Sequence, residues 1–116
     1  MTTTVQCGSS HTYTTITAAH AAYVTGGFII SCYNDSEFTD ATLSLGGSSS
    51  TNYERLTVAS GQSIFDNTTN PMVYDVTKGV GWVYNPAFDS VLNISDNFYL
   101  DRFQIRNNNI INKNNI

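Results

Sequence analysis

The sequence predicts an all-β fold, namely an antiparallel β-sandwich or jelly-roll-like domain with one short N-terminal helix. Short runs of β-branched and aromatic residues recur along the chain, and clusters of Gly, Asn, Asp and Ser separate them. This spacing is typical of sandwiches. The 116 residues suffice for one core, so we expect a single β-rich domain over residues 1–106. Residues 107–116, rich in Asn and Ile, are expected to form a C-terminal arm or a disordered tail.

One segment near the N-terminus departs from the strand pattern. Residues 14–24 place apolar and aromatic side chains close to helical spacing, with a Thr as candidate N-cap and Gly26-Gly27 as a stop signal. We therefore expect a short helix here. The β-branched residues at both ends of the segment leave a strand as the alternative.

The remaining pattern is strand-like. Seven segments have this character: residues 28–33, 41–45, 55–59, 63–66, 72–76, 80–84 and 97–106. In the last segment the apolar parity changes between Leu100 and Phe103, which predicts a bulge near Asp101-Arg102 or a strand buried on both faces. No repeat of roughly 20 to 50 residues is visible, which argues against a solenoid.

Charged residues are scarce and unevenly placed. They form 12% of the chain, the net charge is −4, and no Lys or Arg precedes Arg55. Nucleic-acid binding depends on clustered basic residues, so we expect no nucleic-acid partner. No apolar stretch is long enough to span a membrane, and the first residues lack the basic and apolar regions of a signal peptide. We expect the protein in a virion or in the cytoplasm of the producing cell.

The two cysteines, Cys7 and Cys32, have neither redox nor zinc spacing. Two buried free thiols are the simpler interpretation, and a disulfide is possible only in an oxidising compartment.

The histidines do not indicate a catalytic centre. His11 and His20 are nine positions apart, which fits neither a helical pair nor a strand pair on one face. The chain also lacks a Gly-x-Ser-x-Gly elbow and a phosphate-binding P-loop. We expect no catalytic residues, no enzymatic activity and no cofactor.

Three carboxylates lie close together in sequence and are the best candidates for a cation site: Asp35, Glu37 and Asp40. Calcium requires six to eight oxygen ligands, several of which this segment offers. The segment lacks the central glycine and terminal Glu of an EF-hand, and turn chemistry between two strands explains the same residues.

Aromatic side chains form the other candidate ligand surface. Trp82, Tyr84 and Asn85, together with Tyr74 or Tyr53, are predicted to form a platform for a sugar ring or a partner. A single tryptophan in a β domain is, however, more often part of the core. In the tail, Ile110 and Ile111 are candidates to anchor an arm onto a neighbouring subunit.

The composition favours a role in assembly. Surfaces poor in charge and rich in Tyr resemble protein interfaces, so we expect a homo-oligomer or a component of a larger protein assembly. The predicted function is that of a non-enzymatic virion component, such as a phage-like capsid accessory, decoration or fibre-attachment protein, acting through multivalent contacts. A carbohydrate-binding lectin-like module and a small inhibitor of a host protein are the alternatives.

Overall fold

The computed structural model describes residues 2–41, 43–84, 92–94 and 96–107. In chain order its elements are β1 (Thr3–Cys7), α1 (Ile16–Ala21), β2 (Phe28–Cys32), β3 (Leu43–Leu45), β4 (Glu54–Val58), α2 (Ile64–Asn67), β5 (Gly81–Tyr84), β6 (Leu92–Ile94), β7 (Phe98–Leu100) and β8 (Gln104–Asn107). All the strand pairs among the described residues are parallel.

Parallel pairing winds the chain into a solenoid-like stack of coils. One sheet has the strand order β1-β2-β4-β7, and two smaller sheets pair β3 with β6 and β5 with β8. Phe38 adds a parallel bridge to Trp82 of β5. The chain thus visits the three sheets in the same order on successive turns, whereas hairpin connections would give antiparallel neighbours. The expected antiparallel sandwich or jelly roll is therefore wrong, and so is the argument against a solenoid.

The register explains why no repeat is visible in the sequence. Thr3, Phe28 and Glu54 occupy equivalent positions at intervals of about 25 residues, within the usual range for repeat proteins. The next equivalent residue, Phe98, follows after a much longer interval that includes α2 and β5. A hydroxyl, a ring and a carboxylate occupy these equivalent places, and the few identical residues in register, such as Cys7 and Cys32 or Leu56 and Leu100, are too isolated to form a visible repeat.

The interior of the stack contains one row of side chains from each strand. In β2 and β4 every second residue is buried and those between are half-buried. The pairing aligns Val5, Ile30 and Leu56 on successive strands. At the β1 end, α1 packs against β1 and β2 and buries Ile16 and Ala19. Burial of these apolar rows stabilises the stack, at about 1.5–3 kcal/mol for each large aliphatic side chain.

Local capping signals decide where the two helices begin. The expected N-terminal helix is present as α1, and the Thr15 hydroxyl accepts a hydrogen bond from the Ala18 N–H at 3.1 Å. The strand expected over residues 63–66 is instead the short helix α2, because the Ser63 hydroxyl accepts from the Phe65 N–H as an N-cap. No strand forms over residues 72–76.

The parity change in residues 97–106 has a different origin from the bulge that the sequence predicts. Two strands of different sheets, β7 and β8, replace the single expected element. The corner between them contains Arg102 at φ 65°, in the left-handed region. The chain turns at this corner, so even-numbered apolar residues pack against the core before it and odd-numbered apolar residues pack against the core after it. The change in the apolar pattern therefore requires neither a bulge nor a single strand buried on both faces. No helix in the described ranges has the length and apolar character needed to cross a bilayer.

Candidate binding surfaces

Strand β1 forms one edge of the four-stranded sheet. Its Thr3 N–H donates to the Gly27 carbonyl, and its Cys7 carbonyl accepts from the Tyr33 N–H, both at 2.8 Å. Because peptide groups alternate in direction along a parallel strand, Thr4 and Gln6 face the opposite side. The Gln6 carbonyl accepts from the Tyr13 N–H at 3.1 Å. Thr4 has no backbone partner among the described residues.

A groove of about 520 Å³ runs beside this edge, and we call it the β1 groove; it is lined by Thr4, Val5, Gln6, Thr12 and Tyr13. Its lining contains hydroxyl, amide and apolar groups and no charged side chain. An open strand edge presents unpaired N–H and C=O groups, which makes it a template for another extended strand.

The other edge of the same sheet is β7. Its inward side chains Phe98 and Leu100 are only partly buried, as are Phe103 and Ile105 farther along the same coil. Ile16 and Ala19 of α1, by contrast, are fully buried at the β1 end. Val5 on β1 is partly buried like Phe98 and Leu100, so both edge strands of the sheet keep some exposed apolar surface.

A second and larger groove, of about 720 Å³, lies on the outer face of β4 and β7; we call it the tyrosine groove, and it is lined by Ser50, Tyr53, Arg55, Phe98, Tyr99, Leu100 and Asp101. The Tyr53 and Tyr99 rings meet edge to face, 5.4 Å apart at 87°. Beside them, an Arg55 nitrogen lies 2.6 Å from a carboxylate oxygen of Asp101. Burial raises the pKa of Asp101, but Arg55 and the Thr57 hydroxyl outweigh it and hold the pKa below its ordinary value.

Backbone geometry at Gly27 allows this arrangement. Gly27 has φ +96°, and a Cβ there would lie 2.8 Å from the Tyr53 ring. A larger residue would therefore combine backbone strain with a clash against Tyr53.

Each histidine has a carboxylate partner that the sequence did not reveal. His11 Nδ1 lies 2.6 Å from Asp35 Oδ2, and its ring stacks on Tyr33 at 3.8 Å. His20 Nδ1 lies 2.6 Å from Oε2 of the fully buried Glu54. Asp35 is 24 residues from His11 in the sequence, and Glu54 is 34 residues from His20. These pairs could be predicted only if the register between the coils were known.

Among the described residues, neither pair is joined by the remaining parts of a catalytic centre. Nucleophilic catalysis requires a Ser or Cys beside the imidazole as well as a carboxylate behind it. Within the described ranges, no hydroxyl or thiol is hydrogen-bonded to His11 or His20. The geometry supports a structural role for both pairs.

The three carboxylates proposed for a cation have separate partners. Asp35 pairs with His11, Glu37 accepts from the Tyr74 hydroxyl at 2.7 Å, and Asp40 accepts the N–H and hydroxyl of Thr17 in α1. Burial and the Glu37 carboxylate raise the pKa of Tyr74. Among the residues that the structure describes, no three His, Cys, Asp or Glu side chains are grouped to hold a metal ion.

The predicted aromatic platform is not assembled. Trp82 is fully buried and its Nε1 donates to the Asp40 carbonyl at 3.0 Å, so it belongs to the core. Tyr84 is half-buried on the same strand, whereas Tyr53 lies in the tyrosine groove. The sequence interpretation missed Tyr99, because no motif surrounds it in the sequence. In the structure it is the central residue of the short edge strand β7. Asn85, Ile110 and Ile111 lie outside the described residues.

Cys7 and Cys32 are register neighbours on β1 and β2, and both are buried free thiols. Burial, followed by the contact with Cys7, raises the pKa of the Cys32 thiol well above its ordinary value. Of the two alternatives left by the sequence, the structure contains the free thiols.

Comparisons of the chain with protein-family models, with curated proteins and with solved structures find no match.

Proposed function

We propose that this protein is a non-enzymatic assembly protein whose copies associate by strand addition at β1. The observation that carries the proposal is the open edge of β1, where the peptide groups of Thr4 face the β1 groove. The low charge of the surface supports the same role, because it provides little electrostatic repulsion between copies. A virion decoration or fibre-attachment component is the setting that the composition favours.

The partner strand in this proposal is β7 of a second copy. Strands β1 and β7 are the two edges of one sheet and run in the same direction. Head-to-tail stacking would continue the parallel sheet and place Leu100 of one copy near Val5 of the next. The partly buried apolar side chains of the β7 end would lose their exposure in this contact, which favours association.

Such a contact joins two different surfaces, so it leaves a free edge at each end of the stack. Heterologous contacts of this kind produce open chains of copies unless a rotation closes them.

Sedimentation velocity across a wide concentration range tests the proposal. We expect the wild-type protein to form species larger than a monomer as concentration rises. Thr4→Pro removes the outward N–H without removing a β1–β2 hydrogen bond, and we expect it to stay monomeric. Thr4→Val is the matched control, because it keeps the N–H and the β-branched shape, and it should associate like the wild type.

A second variant covers the case in which proline disturbs β1. Thr4→Lys adds a charge beside the edge, a device that natural proteins use against strand addition, and it should also abolish association. A wild-type protein that is monomeric at every concentration, or Thr4→Pro and Thr4→Lys variants that associate like the wild type, would contradict the proposal.

A further inference from the structure

We infer that the tyrosine groove is a binding site for a neutral saccharide, with one pyranose ring stacked on Tyr99. The groove opens on the outer face of the sheet, and the proposed assembly uses the sheet edges, but both involve β7, whose three residues line the groove. In the proposed stack the register would place Tyr99 beside Thr4 of the next copy. Saccharide binding is therefore measured on the monomer, at concentrations below those at which sedimentation shows association.

The aromatic wall of the groove is both exposed and held in place. Tyr99 is 52% exposed, so about half of its surface remains available for contact with a ligand. The edge-to-face contact with Tyr53 restrains it, and Gly27 leaves room for the Tyr53 ring. An aromatic face carries partial negative charge, and it attracts the slightly positive C–H groups that line one face of a pyranose.

The polar wall suits hydroxyl groups. The Arg55 and Asp101 side chains are each 40% exposed, so the donors of Arg55 outside their mutual contact remain available. The second Asp101 oxygen, Oδ1, is buried and has no hydrogen-bond partner among the described residues. The low pKa of Asp101 keeps its carboxylate ionised as an acceptor at neutral pH. The hydroxyls of Ser50 and Tyr53 add groups that both donate and accept.

The charge balance of the groove favours an uncharged ligand. Arg55 and Asp101 neutralise one another, and no other described residue that lines the groove is charged. A phosphate or sulfate would have to displace Asp101 from Arg55, leaving two like charges close together. The volume of about 720 Å³ lies within the range of small-molecule sites.

The test is an array of neutral oligosaccharides built from glucose, galactose, mannose and N-acetylglucosamine, with sulfated and sialylated glycans on the same slide. We expect binding to at least one neutral class and none that requires an acidic group. For the best neutral oligosaccharide, saturation-transfer NMR should show contacts with its ring protons, and calorimetry supplies the affinity.

Two variants connect binding to the groove. Tyr99→Ala removes the stacking surface, and we expect about tenfold weaker binding. Arg55→Gln keeps hydrogen-bonding groups but removes the charge that holds Asp101, and binding should weaken as well. Phe65→Ala is the matched control, because Phe65 is similarly exposed at 57% and lies on α2, outside the groove.

The outcomes separate the possibilities. Absence of binding to every neutral glycan at millimolar concentration overturns the inference, as does a preference for acidic glycans or unchanged binding by Tyr99→Ala. Saccharide binding is measured on the monomer and self-association by sedimentation of the sugar-free protein, so failure of the one and failure of the other are read from different experiments.

Discussion

Replacement of Glu54 by alanine removes a carboxylate that joins three parts of the solenoid. Glu54 is fully buried on β4, its Oε2 lies 2.6 Å from His20 Nδ1 of α1, and its Oε1 accepts the Gly46 N–H at 3.0 Å. The carboxylate therefore connects the helix at the β1 end with the corner that follows β3. Loss of the side chain should loosen both.

The size of the effect follows from these contacts. An N–H left without an acceptor in the interior costs about 1–3 kcal/mol, and Glu54→Ala removes the acceptor of the Gly46 N–H together with the partner of the His20 ring. His20 is 32% exposed, so water replaces part of its lost contact. With the two losses added, we expect Glu54→Ala to lower the free energy of unfolding by about 3 kcal/mol. Glu54→Gln retains the acceptor for Gly46 and should lose about 1 kcal/mol.

Urea unfolding followed by far-UV circular dichroism at neutral pH measures these differences. The matched control is Glu37→Ala, which removes the only other glutamate and one half-exposed hydrogen bond to Tyr74. We expect a loss of about 1 kcal/mol for the control. If Glu54→Ala is no more destabilising than Glu37→Ala, the buried position of Glu54 beneath α1 is wrong.

Two further predictions concern buried and paired groups. Cys7 and Cys32 should not react with a thiol reagent in the native protein at mildly alkaline pH, and both should react in urea. The control is an exposed thiol introduced by Thr69→Cys, which should react at once. Rapid labelling of both cysteines in the native protein would contradict the stacked core. Burial raises the pKa of Asp35, but the Ser10 N–H and His11 outweigh it and hold its pKa below the ordinary 3.8. The carboxylate therefore stabilises the fold above that pH, and the contribution is lost as pH falls through the lowered pKa. Carbon-detected NMR should show Asp35 titrating below 3.8 and moving upward in His11→Ala; an unchanged midpoint would rule out the pairing.

The sequence predicts many strands correctly but not their direction. The run at 28–33 and the alternation at 41–45 correspond to β2 and β3, since one buried face gives alternation in any half-exposed sheet. Alternation is the same for parallel and antiparallel neighbours, and parallel sheets are usually recognised by intervening helices or continuous apolar runs. Here corners rather than helices connect most of the strands, so that signal is missing.

The candidate surfaces were harder to predict than the strands. Trp82 was singled out as the only tryptophan, yet the pairing of β5 with Phe38 and β8 puts it inside the stack. Tyr53 was named, but its neighbours Tyr99 and Asp101 come from a later coil. Contacts between coils depend on which residues are in register. Because the coils differ in length, a single sequence does not reveal that register.

The intervals from Thr3 to Phe28 and from Phe28 to Glu54 are nearly equal, so a stack with more layers of the same size is compatible with this fold. Each layer touches mainly the layers before and after it, so duplication of residues 28–53 would insert one additional layer without changing the pattern of neighbours elsewhere. Duplication of the gene segment for one layer would therefore lengthen the stack along its axis. A closed β-sandwich cannot be lengthened in this way.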